Sequence, residues 1–349
     1  MTNAGPLSGI RIVDLTRLLP GPFATHYLAS LGAEVIKVES GPNGDYARNL
    51  NPALYQLLNS QKRVVSLDLR SEEGLEELRA LVAESHALLE SFRPGVLEAM
   101  GLALPALHKI NPALVLGSLT GYGQTGPYRN RAGHDLNYLA LSGALDQFGR
   151  NQERPSLINI QLADQAAGGL TFALGVVSAL LKAKTTGQGS HVDVGMADAS
   201  MALLSVAVAG WNTSGEIPRR GDEALNGGLP NYDVYVCADG RCFALGALEP
   251  KFWLAFCQAV ERPDLMQLPL GRGEQGAALR AALTDLFRSQ PRDYWTERLL
   301  TIDACATPVL NLEEAFADPQ MRHRGVPRGE PGQRTLACPI KVTALNPDT

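Results

Sequence analysis

The chain has 349 residues, a formal net charge of −5 and 45% hydrophobic residues. That length holds two domains, or one domain with a large excursion, around a sizeable core, and the scattered charges leave no electrostatic footprint for DNA, RNA or an anionic membrane. The five cysteines are odd in number and contain no C-x-x-C pair, which excludes a disulfide framework and structural zinc; the opening residues lack the basic flank and apolar run of a secretory signal and no transmembrane segment is read, so a cytoplasmic residence is expected.

In chain order, IRIVDL (10–15) predicts a buried strand, PFATHYLASLG (22–32) a helix closed by glycine and AEVIKVE (33–39) a second strand. RVVSLDL (63–69) is a third. Ser71, followed by Glu72 and Glu73, opens a helix, because a serine cap and first-turn acids satisfy the unpaired N–H groups. HALLESF (86–92) and ALVLGSL (113–119) continue the rhythm. Strands separated by crossover helices predict an α/β fold with a Rossmann-like, doubly wound parallel sheet. A nicotinamide cofactor is not expected, because the turn after the first strand is TRLLPGP rather than G-x-G-x-x-G, which leaves Glu39 without the motif that would make it a ribose ligand. There is no P-loop either.

A loop of high glycine density, GSLTGYGQTGPYRNRAG, leads into GHDLNY and sets His134 beside Asp135 at the mouth of an apolar helix. A neutral imidazole at a helix start has its charged form disfavoured and suits proton abstraction beside an anion; the same residue read alone is a cap or a buried polar group. AAGGLTFALGVVSALLKAKTTG predicts a small-residue helix ending at Gly187, before which Asp164 alone would be an N-cap, just as Glu249 before Pro250 would be a first-turn acid. GSHVDVGMADASMALLSVAVAGW reads as a strand feeding a second such helix, and 211–233 as a polar linker or functional loop. YDVYVCADGRCFALGAL predicts a hairpin turning at Ala238, Asp239 and Gly240, followed by helices at 250–260, 276–289 and 291–301 and a last strand, LACPIKVTAL. The expected domains are a large Rossmann-like domain over 1–195 completed by about 325–349, a linker helix and loop over 196–230, and a small α+β domain over 231–324.

The blocks PLSGIRIVDLTRLLPGP, LGAEVIKVE, LNSQKRVVSLDL, ESFRPGV, TGYGQTGP, GHDLNY, DQAAGG, GQGSHVDVGMADAS and YVCADGRCFALGALEPKFW together resemble the family III CoA-transferase superfamily, CaiB/BaiF type, over nearly the whole chain. GHDLNY and the Leu-Glu-Pro of GALEP resemble its α-methylacyl-CoA racemase branch rather than its transferases. The resemblance implies catalytic residues at His134, Asp164 and Glu249. An α-proton beside a thioester is weakly acidic, so inversion needs a base on one face, an acid on the other and stabilisation of the enolate between them. His134 and Asp164 would be that pair, with Glu249 fixing the imidazole tautomer. The resemblance further implies CoA and substrate contacts at Lys62, Leu67, Asp68, Leu69, Arg70, Phe92 and Arg93 for the adenosine and phosphates, and at Gly133, Asp135, Asn137 and Tyr138 for the pantetheine and thioester. It implies no metal, no cofactor apart from the CoA of the substrate, no nucleic-acid or membrane partner, and an interlocked homodimer. Three departures from the racemase pattern stand out: Ser40 and Ala99 where arginines are frequent, and Ile160 where an asparagine precedes the catalytic aspartate by four. The alternative is a CoA-transferase in which Asp164 is the nucleophile, passing through a mixed anhydride; a non-catalytic acyl-CoA-binding protein is a third reading.

Overall fold

The apolar runs of the first half become short strands separated by helices, buried except at the sheet edge, where Arg63–Ser66 is largely exposed. In the structure, a computed structural model that describes residues 5–41, 44–151 and 153–343, they are β1 (Arg11–Asp14), β2 (Glu34–Glu39), β3 (Arg63–Ser66), β4 (Ala87–Glu90) and β5 (Val115–Thr120), joined by β6 (Ser190–Gly195). The sheet is six-stranded in the order β3-β2-β1-β4-β5-β6 and parallel throughout. This is a doubly wound α/β arrangement whose order reverses beside β1, between β1 and β4, and in such sheets ligands enter at the carboxyl ends of the strands near the reversal.

One face of the sheet is covered by α2 (Glu72–Ala83) and α3 (Leu104–Ile110), whose Leu78, Val82 and Leu107 pack with Val13, Ile36, Leu88 and Leu116. Ser71 caps α2 as its sequence predicts, its Oγ accepting the Gly74 N–H at 3.0 Å. Also in this unit are α1 (Pro20–Ser30), α4 (Asp135–Leu141), a π-helical segment Leu162–Leu170 running into α5 (Thr171–Thr186), and α6 (Met196–Ala202). Helix α5 stops at Gly187, which takes the left-handed φ of 70° that a C-terminal glycine allows. The stretch Leu162–Thr186 is the one helix among the described residues long and apolar enough to cross a membrane, and half of its most apolar window is buried inside the protein.

The chain divides into two compact units, one of Met1–Ala144, Ile158–Leu204 and Pro319–Thr349, the other of Leu145–Leu157 and Ser205–Asp318. The second unit contains α7 (Ser205–Ser214), the antiparallel pair β7 (Tyr232–Val236) and β8 (Cys242–Gly246), α8 (Pro250–Ala259), α9 (Ala277–Arg288), α10 (Arg292–Leu299) and β9 (Ala306–Pro308), which pairs with β8. Its core is aromatic: Phe287 stacks on Tyr235 and Phe243 with centroids 5.1 and 5.6 Å apart and meets Trp295 edge-on. Each such ring contributes about 2–3 kcal/mol by burial.

Two expectations are corrected. The 211–233 stretch is not a continuous loop, because α7 extends to Ser214 and a kinked turn, non-helical at Asn226 and Gly227, occupies Ala224–Gly228, where the Arg280 guanidinium holds the Gly227 and Gly228 carbonyls and the Asp233 carboxylate. Nor is LACPIKVTAL a full strand: only Thr335–Leu336 pairs, with Pro327–Arg328, and the described residues beyond it carry no strand, since Pro339 lacks the N–H a ladder needs. Its last two residues, Ala344 and Leu345, lie outside the described ones.

Candidate active site

His134 is the N-cap of α4, extended at φ −127° and ψ 175°, and its ring-bearing residue is exposed. The cap is closed by Asn137, whose Oδ1 accepts the His134 backbone N–H at 3.0 Å. Next to it, Asp135 reaches the other catalytic candidate: its Oδ1 accepts the Asp164 backbone N–H at 2.9 Å. One carboxylate therefore ties the start of α4 to the first turn of the π-helical segment, and His134 and Asp164 are fixed at a single junction. Asp164 is not an N-cap, since the segment starts before it at Leu162.

The junction is tightly packed for a sequence reason. A Cβ on Gly168 would fall 2.6 Å from Met196 Cγ, and one on Gly169 2.9 Å from Phe23 Cδ1 and 3.2 Å from the Pro20 carbonyl. The paired glycines let the segment carrying Asp164 lie directly on α6 and on the start of α1. Short π-helical insertions of this kind occur often at functional sites.

Burial, and then the charge of Asp135, push the Asp164 carboxyl up to about 7. That group can hold or release a proton near neutral pH, which is what a residue that must act as acid in one direction and base in the other requires. Tyr138 is buried on the opposite side of the turn, its hydroxyl donating to the Gly133 carbonyl at 2.5 Å and its ring edge-on to Tyr122 at 5.3 Å. A Cβ on Gly133 would stand 2.6 Å from that ring. Burial, with the Asp164 charge next, raises the Tyr138 phenol, so it stays a neutral donor.

The expected pantetheine residues are thus largely engaged in building the turn: Asn137 closes the cap, Tyr138 braces Gly133, and Asp135 anchors Asp164. Among the expected phosphate residues, Leu67 and Leu69 are buried apolar supports, Phe92 is partly buried, and Arg70 and Arg93 are exposed. Asp68 Oδ1 accepts both the backbone N–H and the Nε–H of Arg70 at 3.1 Å, and the Leu69 N–H donates to Ser40 Oγ at 3.0 Å, so Ser40 shapes the turn after β3. Lys62 points inward, its Nζ 3.3 Å from Asp14, 2.7 Å from Thr25 Oγ1, 2.8 Å from Asn59 Oδ1 and 3.0 Å from the Pro22 carbonyl. More acceptors than its three N–H groups already surround it.

Glu249 lies in the second unit as the exposed N-cap of α8, before Pro250. No group of three or more His, Cys, Asp and Glu side chains able to hold a metal occurs among the described residues.

Sequence reasoning missed a buried charge network under the first loop. Lys37 and Asp45 pair at 2.9 Å with both side chains fully buried, beside the Lys62–Asp14 pair. A lysine inside the otherwise apolar strand EVIKVE was the available signal, since an unpaired buried ammonium is too costly to persist.

A model of the CoA-transferase family III matches residues 7–347. The chain belongs to this family. A CaiB/BaiF family protein from Brucella suis, known as a crystal structure, is similar at 32% identity and a TM-score of 0.82, with 97% of this chain and 93% of that one covered. Among characterised members, the family III chain is 37% identical to the α-methylacyl-CoA racemase of Homo sapiens, covering 91% of this chain and 81% of the relative. It is 30% identical to the acetyl-CoA:oxalate CoA-transferase of Acetobacter aceti, covering 98% and 90%. The family is enzymatic, and an acyl-CoA substrate accords with it.

Proposed function

We propose that the protein is an acyl-CoA racemase that inverts the α-carbon of 2-methylacyl-CoA thioesters, His134 and Asp164 removing and returning the proton on opposite faces through an enolate. The observation that carries this reading is the junction itself: Asp135, the neighbour of His134 in the chain, holds the Asp164 N–H, and the Asp164 carboxyl, raised to about 7, can exchange a proton at neutral pH. The similarity to the human racemase supports the same reading.

The second reading, CoA transfer with Asp164 as nucleophile, is favoured by the similarity to the Acetobacter aceti enzyme. Incubation with a chiral 2-methylacyl-CoA in deuterated water separates the two. Deuterium entering the α-position with loss of configuration, and no added acid required, is the racemase result. CoA passing to an acceptor acid with the α-proton retained would sink it.

The proposal includes an interlocked homodimer, supported by the apolar side chains Leu174, Leu181, Met201 and Leu203 exposed on the first unit and Val206 and Trp211 on the second. In that assembly Glu249 of one chain would support His134 of the other. Co-expressed chains carrying Glu249→Gln and Asp164→Ala are expected to form heterodimers with measurable activity; heterodimers as inactive as both parents would refute the shared site. CoA enters as part of the substrate, with no resident cofactor or metal, and the site is placed in a cytoplasmic enzyme.

A further inference from the structure

The loop after β1 crosses the carboxyl edge of the sheet with Arg17 at its crest, and the backbone around that residue is pinned from three directions. The buried Lys37 ammonium donates to the Thr16 carbonyl at 2.8 Å, Asp45 Oδ1 accepts the Leu18 N–H at 3.0 Å, and the Arg17 N–H itself donates to Ser91 Oγ at 3.1 Å. Leu18 is held at a φ of 64°, a left-handed conformation that a branched apolar residue adopts only under constraint. These contacts turn the guanidinium onto two rings, Phe92 at 5.1 Å and Tyr46 at 5.7 Å from their centroids. Phe92 is fixed in turn, its N–H donating to the buried Glu90 carboxylate at 2.6 Å.

Four neighbouring cations are occupied. Arg48 pairs with Glu39 at 2.7 Å, Arg70 with Asp68 at 3.1 Å, Lys37 with Asp45 at 2.9 Å and Lys62 with Asp14 at 3.3 Å. Among the described residues, the Arg17 guanidinium alone in this group is both fixed in place and without a carboxylate or hydrogen-bond acceptor. A flat, stacked guanidinium with its donor fork unused, at the edge where open α/β sheets take ligands, has the chemistry of a phosphate receptor.

We propose that Arg17 binds a phosphate group of the CoA moiety, supplying the cation that Ser40 does not. This rests on the acyl-CoA reading given above. Its substrate contact is electrostatic and remote from the reacting carbon, so it contributes to binding of ground and transition states alike.

The test is calorimetric titration of the full-length wild type, Arg17→Lys and Arg17→Gln with three ligands: acetyl-CoA, its 3′-dephospho form, and the acetyl thioester of pantetheine, which carries no phosphate. Loss of one charge-assisted contact corresponds to roughly 10- to 100-fold weaker binding. Arg17→Gln is expected to weaken acetyl-CoA by that factor and to leave the pantetheine thioester unchanged, with Arg17→Lys between wild type and Gln. In turnover, KM should rise while kcat holds. Weakening of acetyl-CoA alone assigns the 3′-phosphate; equal weakening of acetyl-CoA and the dephospho form assigns the diphosphate. Unchanged acetyl-CoA binding, or an equal loss for the pantetheine thioester, overturns the inference. A wild type that binds none of the three defeats the acyl-CoA reading itself, whereas a wild type that binds acetyl-CoA no better than the pantetheine thioester defeats only the role of Arg17.

Discussion

Asp14 and Asp164 are carboxylates of the same unit, each within a few residues of a parallel strand or the helix covering it, yet their surroundings drive them in opposite directions. Asp14 is fully buried, and the charges of Lys62 and Lys37 with the hydroxyls of Thr16 and Thr25 overcome the cost of burial and hold it below the usual carboxylate range. Asp164 is partly buried beside a second carboxylate and no cation offsets them, so it rises to about 7. The first is a structural anion that stays ionised; the second is poised to change its proton. Cations and hydroxyls within reach, rather than depth alone, separate a carboxylate that holds a fold from one suited to chemistry.

The largest effect that would break this contrast is on turnover. Asp164→Asn keeps the shape and removes the proton-transfer group, so α-deuterium incorporation should fall by about 10²- to 10⁴-fold with no loss of melting temperature. Wild-type exchange in that variant would remove Asp164 from the chemistry. Asp14→Ala should do the reverse. It leaves the buried Lys62 ammonium without its carboxylate, at a cost of about 3–5 kcal/mol in denaturant unfolding, and activity per folded molecule should persist. A stable but inactive Asp14→Ala protein would show that the division between the two carboxylates is misplaced.

A smaller effect separates the two ways Asp135 acts on Asp164. In Asp135→Asn the amide oxygen can still accept the Asp164 N–H, but the charge that raises its neighbour is gone. The limb of the pH profile of kcat/KM belonging to Asp164 is therefore expected to move below 7, with kcat at the plateau nearly kept, whereas Asp135→Ala should lower kcat as well. An unmoved limb in the Asn variant would leave burial as the whole cause.

The smallest effect concerns stability. Asp164 has a folded pKa above the value of about 3.9 for a free aspartate, so its contribution is present below about pH 4 and is lost as pH climbs to about 7. Asp14 has a lowered folded pKa, so its contribution is present above about pH 4 and is lost as pH falls through that depressed value. Melting curves of Asp164→Asn and wild type should therefore diverge as pH is raised from 4 to 8, the variant gaining about a few degrees. Parallel curves across that range would show that the folded carboxyl titrates normally.

Much of the scaffold was legible because its signals are local. The Ser71 cap, the Asp239-Gly240 hairpin and the Gly187 stop are each written within a few consecutive residues, and the strands of the sheet are short apolar runs between such marks. GHDLNY and DQAAGG were legible as motifs, but not the bond that joins them, which connects residues 29 apart. Lys62 illustrates the same limit: a basic residue beside a strand looks solvent-facing until Asp14, 48 residues away, is seen to face it. Arg17 went unnoticed because its setting is assembled from residues far along the chain, Ser91, 74 residues away, with Tyr46 and Phe92.

The π-helical turn at Leu162–Leu170 also makes the chain sensitive to length. It stores surplus residues between Asp164 and Thr171, and deleting one of them, such as Ala166, would let the segment relax into a continuous α-helix. Each residue of an α-helix turns the chain by about 100°, so the carboxyl would swing away from α4 while the helix beyond it kept its place in the core. A single in-frame codon loss at this point would leave the protein folded with its carboxyl intact but turned away from the place where it acts.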